Sequence, residues 1–294
     1  VNFAAIDIGS NAIRLLFVNV TTYKEETHFH KISLTRSPVR LGSDTFLNNH
    51  ISDDKKEDLI KTLIAYRNLI EVYKVQDYLC YATSAMRDAS NGLEVAKEAS
   101  ERSGVPVHVI SGEQEAKTIF SIHAAEDIDP EGAYLYIDVG GGSAELTFIN
   151  KGKHVASESF KTGTIRILEN IVQETEWTRM NKWLHTYTFG HKKLEAIGTG
   201  GNINKIFKFT NTDEGKPVSY QKLKDCQEFL SNYTYEQRVS ILGLREDRAD
   251  VIVPACNIYL HIMNEANIKK IYVPKVGLAD GMIHLMWDKY KNQN

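Results

Sequence analysis

Ile6-Asp7-Ile8-Gly9-Ser10-Asn11 opens the chain, and Ile137-Asp138-Val139-Gly140-Gly141-Gly142-Ser143 repeats it 131 positions further on, counted from Asp7 to Asp138. In each copy an acidic residue and a run of small residues follow an apolar strand. Each copy then resumes in strand-like residues, Ile13-Arg14-Leu15-Leu16-Phe17 in the first and Ala144-Glu145-Leu146-Thr147-Phe148 in the second. Such turns let backbone N–H groups approach an anion, because glycine supplies positive φ and has no side chain in the way. Two copies, one per half, predict a duplicated protein that grips a phosphoryl chain or nucleotide between two domains.

The 294 residues suffice for two cored domains of similar size. Lys and Arg total 35 against 38 Asp and Glu, a net charge of −3, so the chain has no global attraction for nucleic acid or another polyanion, and any anion site must be local. Cys80, Cys226 and Cys256 are few, odd in number and without metal-like spacing, which fits a reducing compartment. The apolar start is interrupted by Asp7, Asn11 and Arg14, and no apolar run approaches the roughly 18 residues of a membrane span. The expectation is a cytoplasmic protein with no membrane partner.

Phe3–Ile8, Ala12–Val20 and His28–Thr35 read as an antiparallel three-strand meander. After Ser52, a good N-cap, Leu59, Ile60, Leu63, Tyr66, Ile70 and Tyr73 step by three and four, one buried helical face. A strand at Tyr78–Ala82, a helix at Asn91–Ser103 and a strand at Val107–Ile110 complete the first half. The second half repeats the scheme. Ala133–Val139, Ser143–Asn150 and His154–Phe160 are its strands, with helices from about Thr164 to Thr188 and a strand at Leu194–Gly198 that runs into the Gly-rich turn Gly198–Asn202. Asp247–Ala266 is expected to be one buried helix with Pro254 near its first turns. A strand at Ile271–Val273 and a helix at Gly281–Tyr290 follow. The predicted domains are 1–124 and 125–294, each with one phosphate turn, the last helix able to pack back on the first domain. A hinge is expected at Ala124–Glu131, where Asp127, Asp129, Pro130 and Gly132 break regular structure.

Asp7, Asp138 and Glu145 are short acids beside the turns. As a set they suit Mg²⁺, which takes oxygen ligands and keeps several waters, although an Asp after a strand is most often a turn former. Gly9, Ser10, Asn11, Ser143 and the amides of Gly140, Gly141 and Gly142 are the expected phosphate donors. Ser111 caps a helix whose Gln114 completes a capping box, and both Glu113 and Glu115 flank the apolar face of Ala116, Ile119, Phe120 and His123. Helical spacing does not choose between those two glutamates. Arg40 and Arg87 are by default solvated side chains. Lys161, Arg166, Lys192, Lys193, Lys205 and Lys275 are candidates for a track along a long anion. His28 and His30 share one side of a strand without a third ligand. No Ser-His-Asp order, zinc-spaced cysteine set or P-loop is present.

The duplicated strand–turn–strand resembles the actin-like ATPase superfamily. More narrowly, the chain is similar to the exopolyphosphatase and guanosine pentaphosphate phosphohydrolase family. Besides the two turns, the resemblance is carried by Thr83-Ser84-Ala85-Met86-Arg87, Ile110-Ser111-Gly112-Glu113-Gln114-Glu115-Ala116, Gly198-Thr199-Gly200-Gly201 and Arg248-Ala249-Asp250-Val251-Ile252, in family order. It implies an α/β fold of two actin-like (ribonuclease H-like) domains, mixed sheets flanked by helices, with an interdomain cleft. It implies a Mg²⁺-dependent exopolyphosphatase that releases terminal orthophosphate from inorganic polyphosphate, with Glu115 as the catalytic glutamate and Arg87, joined by Arg40, as a phosphate-binding arginine. Guanosine pentaphosphate hydrolysis is the nearest rival, followed by a superfamily kinase and a non-catalytic sensor of polyphosphate or guanosine phosphates. A homodimer is an assembly the resemblance allows. Members often carry Arg-Glu where this chain has Ala279-Asp280 in Gly277-Leu278-Ala279-Asp280-Gly281, and long members add C-terminal helical domains that do not follow here.

Overall fold

β1 (Asn2–Ile8) is buried on both faces because apolar residues fill nearly every position, and it is the centre of its sheet. A computed structural model describes residues 1–24, 26–120, 129, 131–191 and 193–293. Two units divide the chain: Val1–Ala125 with Leu278–Asn294, and Glu126–Gly277. The hinge predicted at Ala124–Glu131 lies, apart from Asp129 and Glu131, outside the described residues, as do His123 and Lys192. Among the described residues no helix is long and apolar enough to cross a membrane.

In the first unit β1 is followed by β2 (Ile13–Tyr23), β3 (Glu26–Ser37), α1 (Leu41–Asn48), α2 (Asp53–Tyr73), β4 (Asp77–Ala82), α3 (Ser84–Asp88), α4 (Gly92–Ser103), β5 (His108–Val109) and α5 (Gly112–Phe120). The sheet runs β3-β2-β1-β4-β5, antiparallel through the hairpins and parallel from β1 to β4 and β5. Ser52 caps α2, its Oγ accepting from the Lys55 amide. That helix covers one sheet face, where Tyr66 donates to the Ile13 carbonyl at 3.1 Å and Tyr73 stacks on Phe17.

The second unit contains β6 (Ala133–Val139), β7 (Ala144–Asn150), β8 (Lys153–Phe160), α6 (Thr164–Leu168), α7 (Glu174–Thr188), β9 (Leu194–Thr199), α8 (Gly200–Phe207), β10 (Val218–Ser219), α9 (Tyr220–Ser231), α10 (Tyr235–Ser240), α11 (Glu246–Ala249), α12 (Ile252–Glu265) and β11 (Lys270–Tyr272). Its sheet order, β10-β11-β9-β6-β7-β8, contains the first unit's order read from the other end, with β10 added antiparallel to β11. The duplication extends to irregularities. The β2/β3 register shifts between Phe17 and Val18, and the β7/β8 register between Phe148 and Ile149, the same place in the repeat. Leu135, Ile137, Leu146, Ile203, Ile258, Tyr259 and Ile262 belong to its helix-covered core.

α13 (Leu278–Lys291) belongs to the first unit, where Met282, Ile283, Met286 and Trp287 pack with Phe3, Ala5, Leu16 and Val18 on the sheet face away from α2. Two sequence expectations need correction. The single helix expected over Asp247–Ala266 is interrupted at Asp250–Val251. In an unbroken helix the Pro254 ring would meet the carbonyl of Asp250, whereas as third residue of α12 it sits where backbone N–H groups have no intrahelical acceptor. The turn expected at Gly198–Asn202 is instead the end of β9 and the first residues of α8, Gly200 taking φ +84° at the junction.

Candidate active site

The β1–β2 and β6–β7 hairpins close identically. Gly9 donates to the Ala12 carbonyl at 3.1 Å, and Gly140 donates to the Ser143 carbonyl at 2.9 Å. None of Gly9, Gly140, Gly141 and Gly142 adopts a positive φ, contrary to the expectation from their composition. The approach is close: a Cβ on Gly9 would lie 3.2 Å from the Ala12 oxygen and one on Gly140 3.3 Å from the Ser143 oxygen, so either would displace its neighbour by a few tenths of an ångström.

A helix N-terminus holds each turn from behind. Gly42 of α1 donates to the Ser10 carbonyl at 2.8 Å, and Ile165 of α6 donates to the Gly141 carbonyl, the corresponding position, also at 2.8 Å. In the second unit the grip is complete. Thr164 N–H donates to Gly140 O at 3.0 Å and Arg166 Nε donates to Gly142 O at 2.8 Å. A Cβ on Gly163 would lie 2.3 Å from the Gly141 oxygen, so this packing requires glycine there as well. In a trans peptide the C=O of one residue and the N–H of the next point in opposite directions. Three successive carbonyls committed to α6 therefore direct the amides of Gly141, Gly142 and Ser143 away from it, and among the described residues those amides have no acceptor. Successive amides directed to one side in a turn are suited to an anion.

The four-residue turns bring position i opposite i+7 on the paired strands, so Asp7 faces Arg14 and Asp138 faces Glu145. Asp7, 4% exposed, accepts from Arg14 Nη1 at 2.5 Å. Glu145, equally buried, accepts from Ser143 Oγ at 2.5 Å and Ser159 Oγ at 3.0 Å. Asp138 abuts Gly200, where an added Cβ would stand 2.4 Å from Oδ1. Like charges directly opposite on a sheet are unfavourable without a cation or proton. Asp138 and Glu145 thus form an all-oxygen pair suited to Mg²⁺, which commonly takes one or two carboxylates and completes its shell with water and substrate phosphate. Among the described residues no three His, Cys, Asp or Glu side chains group into a fuller ligand set.

In the first unit α3 approaches the turn, Ser84 Oγ lying 2.8 Å from Ser10 Oγ and Thr83 N–H donating to Ile8 O at 3.1 Å. Arg87, on the same helix, donates through Nη1 to Ile110 O at 2.9 Å and reaches Glu115 Oε2 at 3.5 Å. The two glutamates differ in packing. The Glu115 side chain is 12% exposed and faces Arg87, whereas that of Glu113 is 65% exposed and pairs with Lys117. Ser111 Oγ accepts from Gln114 N–H, the predicted helix cap. Arg40 precedes α1 at φ 58°, ψ 47°, a left-handed conformation uncommon outside glycine, in the place that Gly163 occupies before α6.

Sequence reasoning passed over Arg14, Ser84, Ser159 and Asn202. The spacing of seven within the repeat was the available signal for Arg14. Asn202 donates to Val139 O at 2.7 Å and accepts from Arg248 at 2.6 Å, tying α8 to the end of β6. Of the proposed cationic track, Arg166 reaches the turn, while Lys275 pairs with Glu214. His28 and His30 stack on β3 beside Glu26. Cys80, Cys226 and Cys256 are free and buried, and burial drives the Cys80 thiol far up from its ordinary value. Asp280 pairs with Lys31 at 2.7 Å.

Two mixed sheets of one topology, flanked by helices and each ending in a small-residue turn, define the actin-like class of two-domain α/β proteins. The chain belongs to the Ppx/GppA phosphatase family, whose model matches residues 20–290. It is 34% identical over 296 residues to a bifunctional 3-dehydroquinate synthase/phosphatase of Fusobacterium nucleatum subsp. nucleatum, covering 89% of this chain and 43% of that one, so it spans less than half of that protein. It is 24% identical over 297 residues to a putative exopolyphosphatase of Haemophilus influenzae, covering 96% of this chain and 90% of the other. A crystal structure of an Aquifex aeolicus member of the Ppx/GppA family matches with a TM-score of 0.75 and 25% identity over 98% of both chains. That of an exopolyphosphatase from Cytophaga hutchinsonii matches with a TM-score of 0.83 and 22% identity, again over 98% of each.

Proposed function

We propose that this chain is an exopolyphosphatase that hydrolyses the terminal phosphoanhydride bond of inorganic polyphosphate by direct attack of water. The observation that carries this reading is the second turn, where the carbonyls of Gly140, Gly141 and Gly142 are committed to α6 and the amides of Gly141, Gly142 and Ser143 are directed away from it. Such donors are preorganised and need no rearrangement when phosphate charge develops. Gly9, Ser10 and Asn11 supply the corresponding turn of the first unit.

Glu115 orients the water and accepts its proton. Arg87, 3.5 Å from that carboxylate, binds phosphate oxygens, and phosphate arriving there draws the guanidinium from Glu115. The water oxygen bonds to the terminal phosphorus, the bridging P–O bond breaks, and orthophosphate leaves the shortened chain. Asp138 and Glu145 are the residues that would hold Mg²⁺, which when bound neutralises phosphate charge, while Asp7 is paired with Arg14. The names borne by the Haemophilus and Cytophaga proteins support this substrate class.

The test is orthophosphate release from long-chain polyphosphate, with and without Mg²⁺, by wild type and Glu115→Gln. We expect the variant to lose at least about a hundredfold, the effect of removing a general base. Near-normal turnover would refute the role of Glu115. Guanosine pentaphosphate assayed with the same preparation separates the two substrates, and faster release from it would overturn the polyphosphate assignment.

A further inference from the structure

Two of the three thiols meet in the core of the second unit, although Cys226 and Cys256 stand 30 positions apart in sequence, counted from 226 to 256. α9 is a surface helix whose buried stripe, Leu223, Cys226 and Leu230, steps by three and four, and α12 brings Cys256 to the same core. The Cys256 S–H donates to the Cys226 sulfur, and Cys226 Sγ in turn donates to the Ile206 carbonyl at 3.9 Å. Cys256 is fully enclosed, whereas Cys226 keeps 5% of its surface exposed beneath the outer face of α9.

A cation stands beside the pair. Arg238 on α10 donates from Nε to Leu230 O at 2.9 Å and from Nη1 to Ala249 O at 3.0 Å, which fastens the end of α9 to the end of α11. Among the described residues it has no carboxylate partner, and its charge acts on the Cys256 sulfur. The two sulfurs are therefore unequal. The S–H bond from Cys256 holds the Cys226 thiol below its ordinary value, and the same bond, with burial, drives Cys256 up. Thiolate character and access govern attack on an oxidant, so Cys226 leads on both counts and Cys256 is in place to resolve the product.

We infer that Cys226 and Cys256 form a dithiol modification site for hydroperoxides, Cys226 being the sulfur that attacks and Cys256 the one that closes the disulfide. The Cys226 thiolate takes one peroxide oxygen, the O–O bond breaks, and the other oxygen leaves as water, with the sulfenic acid remaining. Cys256 sulfur then bonds to Cys226 sulfur, the S–O bond breaks, and the departing hydroxyl carries the Cys256 proton away as a second water. Two thiols are oxidised by two electrons and one peroxide is reduced to two waters. The bond ties α9 to α12, and in a reducing compartment it is transient. It uses none of the residues assigned to phosphate hydrolysis, so it can fail while that reading stands. Cys80 lies alone in the first unit, its thiol driven up by burial and then by the Asp7 charge, and serves as the internal control.

The full chain, reduced and then freed of reductant, is treated with hydrogen peroxide, blocked with iodoacetamide and mapped by mass spectrometry without reduction. We expect a Cys226–Cys256 link as the main product, reversed by dithiothreitol, with Cys80 oxidised at least about tenfold more slowly. Cys256→Ser should stop with added oxygen on Cys226, and Cys226→Ser should slow oxidation of Cys256 at least about tenfold. No Cys226–Cys256 link in the wild type, or a preferred link to Cys80 or to a second chain, overturns the proposal without reliance on any variant folding. Undiminished oxidation of Cys256 in a folded Cys226→Ser also overturns it, since Cys256 would then react unaided.

Discussion

Glu113 and Glu115 sit two residues apart at the start of one helix, in different surroundings. Glu113 is solvated and paired with Lys117 at 2.6 Å, an i,i+4 surface contact worth little. Glu113→Gln should accordingly keep phosphate release within about twofold of wild type, against the hundredfold loss expected for Glu115→Gln in the same assay. His261 gives a residue-scale test of stability. Its Nε2 donates to Asn181 Oδ1 at 2.8 Å, its ring lies edge-on to Trp177, and burial holds its pKa below the ordinary value. A group whose folded pKa is depressed and whose charged form is cationic binds protons more readily when unfolded, so stability falls as pH drops below the unfolded value of about 6.5. Thermal midpoints measured from pH 8 to 5 should show this decline in wild type, and His261→Gln should flatten its share of it.

At the scale of elements, each small-residue turn is held by the helix that follows the third strand of its unit. α6 meets the second turn without clearance, so Gly163→Ala would push a methyl group to 2.3 Å from the Gly141 oxygen. Overpacking of this kind costs about 1–3 kcal/mol. Here it also displaces the carbonyls that aim the amides. We expect Gly163→Ala to reduce phosphate release at least about tenfold, beyond what its urea midpoint explains. Most strands were legible from sequence: Ala133–Val139 is β6 as read, and Phe3–Ile8 differs from β1 by one residue, whereas the two-residue β10 was not read. α1 was not legible. At eight residues, with Gly42, Ser43 and Thr45 among them, it has weak intrinsic propensity and forms because Leu41, Thr45 and Phe46 are buried.

For the molecule as a whole, the first unit is discontinuous in sequence: α13 returns from the end of the described chain to close one face of its sheet. Phe3 lies edge-on to both Trp287 and Tyr290, joining the first strand to the last helix. Met282 is fully buried there. Met282→Ala should cost about 2–5 kcal/mol in urea unfolding. A cost confined to surface values, within about 0.5 kcal/mol, would show that α13 contributes little to this unit.

Local chemistry alone determined the repeat, its strands, and the identity of the turn residues, because period-two burial and small-residue turns leave their mark in neighbouring positions. The burial of Glu115 beside Arg87, the Asp7–Arg14 pair, and the direction of the Gly141–Ser143 amides were decided by tertiary structure. Each depends on a partner far away in sequence: Arg87 for Glu115, the opposing strand for Asp7, and α6 for the glycine turn. A turn's composition permits an anion nest, but only the helix packed behind it sets which way its peptide planes face.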